Sequence, residues 1–171
     1  MPNQSVWKSN EVVMSKLHLA YLNLGSNIQP ETNLPKALNL LSKYGKVKKI
    51  SNAWESEPVG TDGQNFLNIC VLFETSLEQV ELKENVLHSI EYQLGRRRSA
   101  DKFAPRSIDI DIVLFDDQVI DNQFWNLAYV AIPLAELYPE YQNPETGESV
   151  DQIAARLRQK VWLKMRQGMI G

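Results

Sequence analysis

Cysteine and histidine are almost missing from these 171 residues, which hold one of the first and two of the second. The lone Cys70 has no partner for an internal disulfide. It lies in an apolar run and reads as a buried thiol in a reducing compartment. With only His18 and His88 available, a Cys/His zinc site is excluded. No apolar run approaches the length of a membrane span, and the polar stretch Met1 to Lys16 has no secretory core. That stretch is expected to be a loose arm, with 17–171 forming one cytoplasmic domain. Positive charge is not in excess: 18 basic side chains face 21 acidic ones, for a net charge of −3. A general nucleic-acid binder would be basic over a whole face, so that class is set aside. There is no Gly-rich loop closing on Lys-Ser or Lys-Thr, which argues against a P-loop enzyme. Internal repeats and low-complexity tracts are also missing.

What is present is concentrated in Arg106-Ser107-Ile108-Asp109-Ile110-Asp111-Ile112-Val113-Leu114-Phe115. Alternation of polar and apolar residues predicts a β-strand. Ile108, Ile110, Ile112 and Leu114 are expected on one side, and Ser107, Asp109, Asp111 and Val113 on the other. Residues two apart on a strand stand about 6.5–7 Å apart on one face, so Asp109 and Asp111 are neighbouring carboxylates. Two like charges so placed are costly unless a cation joins them. Mg²⁺ takes hard oxygen ligands, commonly a pair of carboxylates plus substrate phosphates. Alone, such a pair reads as a solvated face. Immediately upstream, however, runs Arg96-Arg97-Arg98-Ser99-Ala100-Asp101-Lys102-Phe103-Ala104-Pro105-Arg106, with five bases and one acid. A basic loop feeding a paired-carboxylate strand suits a polyphosphate carrying metal.

The rest of the chain predicts a frame for that strand. Leu17 to Leu24 reads as a first strand ending in the turn Gly25-Ser26-Asn27. Leu34, Ala37, Leu38 and Leu41 have helical spacing, with Pro35 in the first turn and Gly45 at the end. Val47 to Glu55 reads as a second strand, Ser56 to Gln64 as a loop, and Asn68 to Glu74 as a third strand. Ser76 and Gln79 form a capping box for a helix from Leu77 to Leu94, with Val80, Leu87, Ile90 and Leu94 on its inner face. Gly95 stops it, and Asp116-Asp117 turns into a short Gln118-Val119-Ile120. The order β-α-β-β-α-β is ferredoxin-like: an α+β antiparallel sheet with helices on one face and the other face left for a ligand or an added layer. Beyond it, Ile132 to Leu137 reads as a short helix. Val150, Ile153, Ala154, Leu157 and Val161 define an amphipathic final helix with Arg156, Lys160 and Lys164 outside.

In their order, Leu24-Gly25-Ser26-Asn27, Glu57-Pro58-Val59-Gly60, Phe66-Leu67-Asn68, Glu74-Thr75-Ser76-Leu77, Gly95-Arg96-Arg97-Arg98 and Pro105-Arg106-Ser107-Ile108-Asp109-Ile110-Asp111 resemble the 6-hydroxymethyl-7,8-dihydropterin pyrophosphokinase family. The resemblance covers about Leu17 to Ile120 and resumes around Pro133 to Pro139. It implies transfer of pyrophosphate from ATP to the hydroxymethyl group of a reduced pterin, leaving AMP, by a monomer with no nucleic-acid or membrane partner. It also implies that Asp109 and Asp111 hold two Mg²⁺ ions and that Arg96, Arg98 and Arg106 meet phosphate oxygens. Arg98, Arg106, Asp109 and Asp111 are then the catalytic set, with Ile112 beside the nucleotide. Ser56, Pro58 and Val59 would present backbone to the pterin edge, Asn68 would hydrogen-bond it, and Phe66 would pack near its ring. Phe103 would close over the site where the family often has Trp.

Two departures stand out. Glu57 replaces the first of two prolines in the pterin loop. The family's Pro-His pair and following Arg, which contact the nucleotide and a phosphate, are absent, because only Asp121 to Ile132 fills that gap. An impaired pterin- or nucleotide-binding relative, or another Mg²⁺-dependent nucleotidyl- or phosphotransferase, therefore stay open as alternatives.

Overall fold

The computed structural model describes residues 14–60 and 62–170, so most of the expected N-terminal arm lies outside the described residues. Strands β1 (His18–Ser26), β2 (Lys46–Ile50), β3 (Ala53–Ser56), β4 (Phe66–Thr75), β5 (Asp109–Phe115), β6 (Gln118–Val119) and β7 (Leu163–Arg166) join one sheet. Its order is β6-β5-β1-β4-β3-β7, with β2 also pairing β4, and every pairing is antiparallel. The ferredoxin-like arrangement expected from the pattern is the one observed.

Both faces of the sheet are covered, which is why β1 and β4 are buried almost end to end. On one face lie α1 (Pro30–Leu41) and a long helix made of α2 (Gln79–Glu81), a π-helical stretch Leu82–Leu87 and α3 (His88–Gln93). Leu34, Ala37, Leu41, Leu82, Leu87 and Ile90 pack there against Leu22, Leu24, Ile69, Phe73 and Ile110. On the other face, α4 (Ala128–Leu137) and α5 (Val150–Arg158) cover one half of the sheet through Tyr21, Trp54, Cys70, Leu72 and Leu134. The half they leave open carries the site.

Several expectations are corrected. Leu114 is not on the side of Ile108, Ile110 and Ile112. Tyr21 pairs with Leu114 but Leu22 pairs with Ile112, so Val113 is an extra residue. This β-bulge turns Leu114 to the second core and Phe115 to the first. The single second strand is two, β2 and β3, because Ser51 breaks the run. Its N–H donates to the Cys70 carbonyl and its hydroxyl accepts from the Cys70 N–H.

The Ser76–Gln79 capping box is not formed. Glu78 is the N-cap, with no side-chain bond, and Thr75 Oγ1 accepts from the Leu77 N–H instead. Val80 is 67% exposed, since the π-helical stretch rotates Leu82, Val86 and Leu87 inward. The helix of the last third begins at Ala128, before Ile132. The final helix stops at Arg158, without Val161, and the chain returns as β7 along β3. Lys164 therefore lies on a strand, and the extension is not purely helical.

Candidate active site

The end of β1 holds the entry to β5. The Asn27 N–H donates to the Arg106 carbonyl at 3.1 Å, and Asn27 Oδ1 accepts from the Arg106 N–H at 2.7 Å. Ser26 Oγ donates to the Ser107 carbonyl at 2.6 Å. Gly25 is required for a different reason, because a Cβ there would meet Asn68 Oδ1 at 2.9 Å. The Gly-Ser-Asn turn thus fixes both Asn68 and the strand that bears the aspartates.

On that strand Asp109 pairs with Gly25 and Asp111 with Asn23. Both carboxylates face the open half of the sheet, where two cavities adjoin. The larger, 630 Å³, takes Arg96, Arg97, Arg98, Arg106 and Ile112 in its wall. The smaller, 300 Å³, takes Ser56, Pro58, Val59, Phe66, Asn68 and Phe103. Asp109, Asp111 and Arg106 belong to both walls. Every residue singled out from the sequence therefore lines one cavity or both, and the boundary between them falls at the aspartates.

Charge is finely balanced there. Arg96 Nη1 reaches Asp109 Oδ1 at 2.5 Å and Glu91 Oε1 at 2.6 Å, and Arg106 Nη1 donates to Asp109 Oδ2. Glu91, 5% exposed, also accepts from the Ile110 N–H at 2.8 Å, and burial pushes its carboxyl up. Among the described residues Asp111 has no such arginine, and it stands on the wall of both cavities, exposed to solvent. Desolvation, then the negative charges of Asp109 and Glu91, push its carboxyl up to about 6. Arg98 donates to His88 Nε2 at 3.0 Å. An arginine can only donate, so Nε2 accepts and Nδ1 carries the proton toward Glu84, 3.2 Å away.

Asn68 Nδ2 donates to Ser56 Oγ at 2.9 Å, so its side chain is oriented by β3 before any ligand arrives. Phe103, 49% exposed, lies against Gly60 of the facing loop. Lys102 of the basic loop borders both cavities, as do Asn23, Leu127 and Tyr129, which escaped the sequence pattern. Tyr129 opens α4 among apolar neighbours. Burial, Asp111 and Asp109 push its phenol up, so it stays neutral. Glu91 was legible only as an acid on a buried helical stripe five residues before Arg96. From the shortened segment come Asp121, Phe124 and Leu127, with no cationic side chain.

The fold and site define a class: a ferredoxin-like domain whose open face sets paired carboxylates between an arginine-lined cavity and a smaller one lined by an amide and aromatic rings. Within that class the chain belongs to the 7,8-dihydro-6-hydroxymethylpterin-pyrophosphokinase (HPPK) family, whose model matches residues 21–139. It is 35% identical to the 2-amino-4-hydroxy-6-hydroxymethyldihydropteridine pyrophosphokinase of Bacillus subtilis (strain 168), over 89% of this chain and 94% of the relative. It is 34% identical to the protein of that name from Aquifex aeolicus (strain VF5), over 72% of this chain and 82% of the relative. Among solved structures, wild-type Plasmodium falciparum HPPK-DHPS with pteroate superposes with a TM-score of 0.66 at 12% identity. That match covers 86% of this chain but 43% of the other, and at this identity it speaks for the fold.

Proposed function

We infer that the protein transfers pyrophosphate from ATP to the hydroxymethyl group of 6-hydroxymethyl-7,8-dihydropterin, releasing AMP. The observation that carries this reading is the position of Asp109 and Asp111 on the boundary shared by an arginine-lined cavity and an amide- and aromatic-lined one. The nucleotide takes the first and the pterin the second. The hydroxymethyl oxygen then meets the β-phosphorus at the boundary. A bond forms between them, the bond from the β-phosphorus to the oxygen left on AMP breaks, and the hydroxyl proton is lost. Little covalent help is needed in such a transfer, and neutralisation and placement dominate.

Arg96, Arg98 and Arg106 bind and neutralise phosphate oxygens. Ser56, Pro58 and Val59 meet the pterin edge, and Asn68 orients it. Phe66 and Phe103 shield its ring, and Ile112 borders the nucleotide. The donors fit Mg²⁺: two adjacent carboxylates, one of them with no arginine of its own and costly to ionise alone. Asp109 and Asp111 would hold it, two ions in all, and its chemistry is charge neutralisation along the triphosphate. One chain carries both cavities, which supports action as a monomer, and buried Cys70 suits a reducing cytoplasm. Among the described residues no helix is long and apolar enough to cross a membrane.

Incubation with ATP, Mg²⁺ and the reduced pterin tests the reading. AMP is expected only when all three are present. AMP release that ignores the pterin would favour a nucleotidyltransferase, and no release at all an impaired binding relative.

A further inference from the structure

Asn23 is a poor strand former set in the middle of the central strand β1, between Cys70 on β4 and Asp111 on β5. It is 5% exposed, and its Oδ1 is buried with no hydrogen-bond partner among the described residues. Three other buried atoms, His18 Nε2, Ser107 Oγ and Trp125 Nε1, also lack a hydrogen bond among the described residues, but none of these residues lines either cavity. Further buried polar side chains are committed to protein groups. Asn68 donates to Ser56, Asn33 to the Ile28 carbonyl and Ser26 to the Ser107 carbonyl. An orphaned buried acceptor at a cavity wall is a cost that a bound cation would relieve. Asn23 also borders both cavities beside Asp109 and Asp111. Directly paired residues on neighbouring strands stand about 4.5–5.5 Å apart at Cβ, so the Asn23 and Asp111 side chains are neighbours on one face of the sheet. The orphan atom is a carbonyl oxygen beside two carboxylates. An anionic phosphate would be repelled there, whereas a cation is attracted by all three groups. Hard divalent cations accept amide carbonyl oxygens alongside carboxylates.

We propose that Asn23 is a third, neutral oxygen ligand of the divalent-cation site formed by Asp109 and Asp111, through its side-chain carbonyl. The proposal rests on the reading of those aspartates as metal carboxylates, and it gives the site a donor outside the strand that bears them.

The test is Mn²⁺ binding, measured by calorimetry and by paramagnetic resonance of free Mn²⁺, with α,β-methylene-ATP present so that no turnover occurs. Asn23→Ala is expected to weaken Mn²⁺ binding about tenfold, one 1.4 kcal/mol step, without lowering the melting temperature measured without metal. Asn23→Asp places a charged oxygen at the same point. It is expected to bind Mn²⁺ at least as tightly as wild type, and to melt lower than wild type without metal and recover with it. A lowered melting temperature with unchanged Mn²⁺ affinity in Asn23→Ala, or weakened Mn²⁺ binding in Asn23→Asp, overturns the proposal. Asp111→Asn separates the two levels. If it loses Mn²⁺ while Asn23→Ala does not, only the role of Asn23 fails. If Asp111→Asn also binds normally, the metal reading beneath it fails as well.

Discussion

Arg96 Nη1 stands 2.5 Å from Asp109 Oδ1, so a guanidinium from the basic loop rests on a carboxylate assigned to metal. Arg106 occupies the other oxygen of the same carboxylate. Without ligand the site neutralises itself. When a cation and a triphosphate enter together, each can take one partner of these ion pairs, so little charge is left uncompensated at any stage. Arg96 keeps a second anchor, Glu91, which also holds the backbone between the two aspartates through the Ile110 N–H.

Glu91→Gln therefore keeps an acceptor for Ile110 but removes the charge that aims Arg96. A charge-assisted hydrogen bond is worth roughly 1.5–3 kcal/mol, and part of that is lost. The expected result is a KM for ATP raised about 5- to 20-fold, with the KM for pterin unchanged. Steady-state kinetics with each substrate varied in turn checks it, and an unchanged KM for ATP would remove Glu91 from the account.

The Asp111 carboxyl titrates at about 6 when folded, against 3.8 in the unfolded chain. Between these values the folded state binds more protons, so stability contributed here is present at low pH and declines as pH rises from about 4 to 6. Metal binding runs the other way, because it needs the ionised form. Mn²⁺ affinity is expected to climb through pH 6. Asp111→Asn should flatten that part of the stability profile, keep the fold and abolish turnover. Denaturation across pH 4–7, for both proteins, supplies the comparison.

Gly60 has φ +75, and a Cβ there would meet the Phe103 ring at 2.9 to 3.2 Å. The pterin loop and the basic loop thus touch over the smaller cavity. Gly60→Ala should strain the turn and push Phe103 outward, and Phe103→Ala should remove the cover. Both are expected to raise the KM for pterin several-fold, about 1 kcal/mol, with little change for ATP. Equal effects on the two substrates would mean that Phe103 does not belong to the pterin side.

Period-two alternation made β5 and its two carboxylates readable, because one face of that strand packs on the Leu82–Leu87 stretch and α3 while the other carries Asp109 and Asp111. The same alternation misplaced Leu114, since a bulge at Val113 leaves no mark on residue polarity. Helical spacing found the stripe of Leu87 and Ile90 but misread Val80, because π-helical turns break the expected period. β7 was hidden within an amphipathic run: Leu163 to Arg166 has no strong strand preference and becomes a strand by pairing with β3. Asn23 and Tyr129 were unreadable as site residues. Their role depends on which strands and helices meet, and the chain brings those together from 106 positions apart.

The wall supplied by the segment around Asp121, Phe124 and Leu127 carries no cation, whereas the smaller cavity keeps Ser56, Phe66 and Asn68, the residues proposed for the pterin. Losing one arginine contact with phosphate is expected to cost ATP about one to two orders of magnitude in affinity. Pterin binding should be the better preserved of the two. Calorimetric titration of each ligand, with and without a non-reactive analogue of the other, reports it. Tight ATP binding with no pterin binding in either condition would contradict the assignment of the smaller cavity.

The central claim is that a pyrophosphoryl group moves as one unit across the boundary at Asp109 and Asp111. Phosphorus NMR of a single reaction with ATP, Mg²⁺ and 6-hydroxymethyl-7,8-dihydropterin tests it most directly. The account predicts AMP and a pterin diphosphate in equal amounts, with no ADP. Formation of ADP with a pterin monophosphate, or AMP with free pyrophosphate and unmodified pterin, would contradict it.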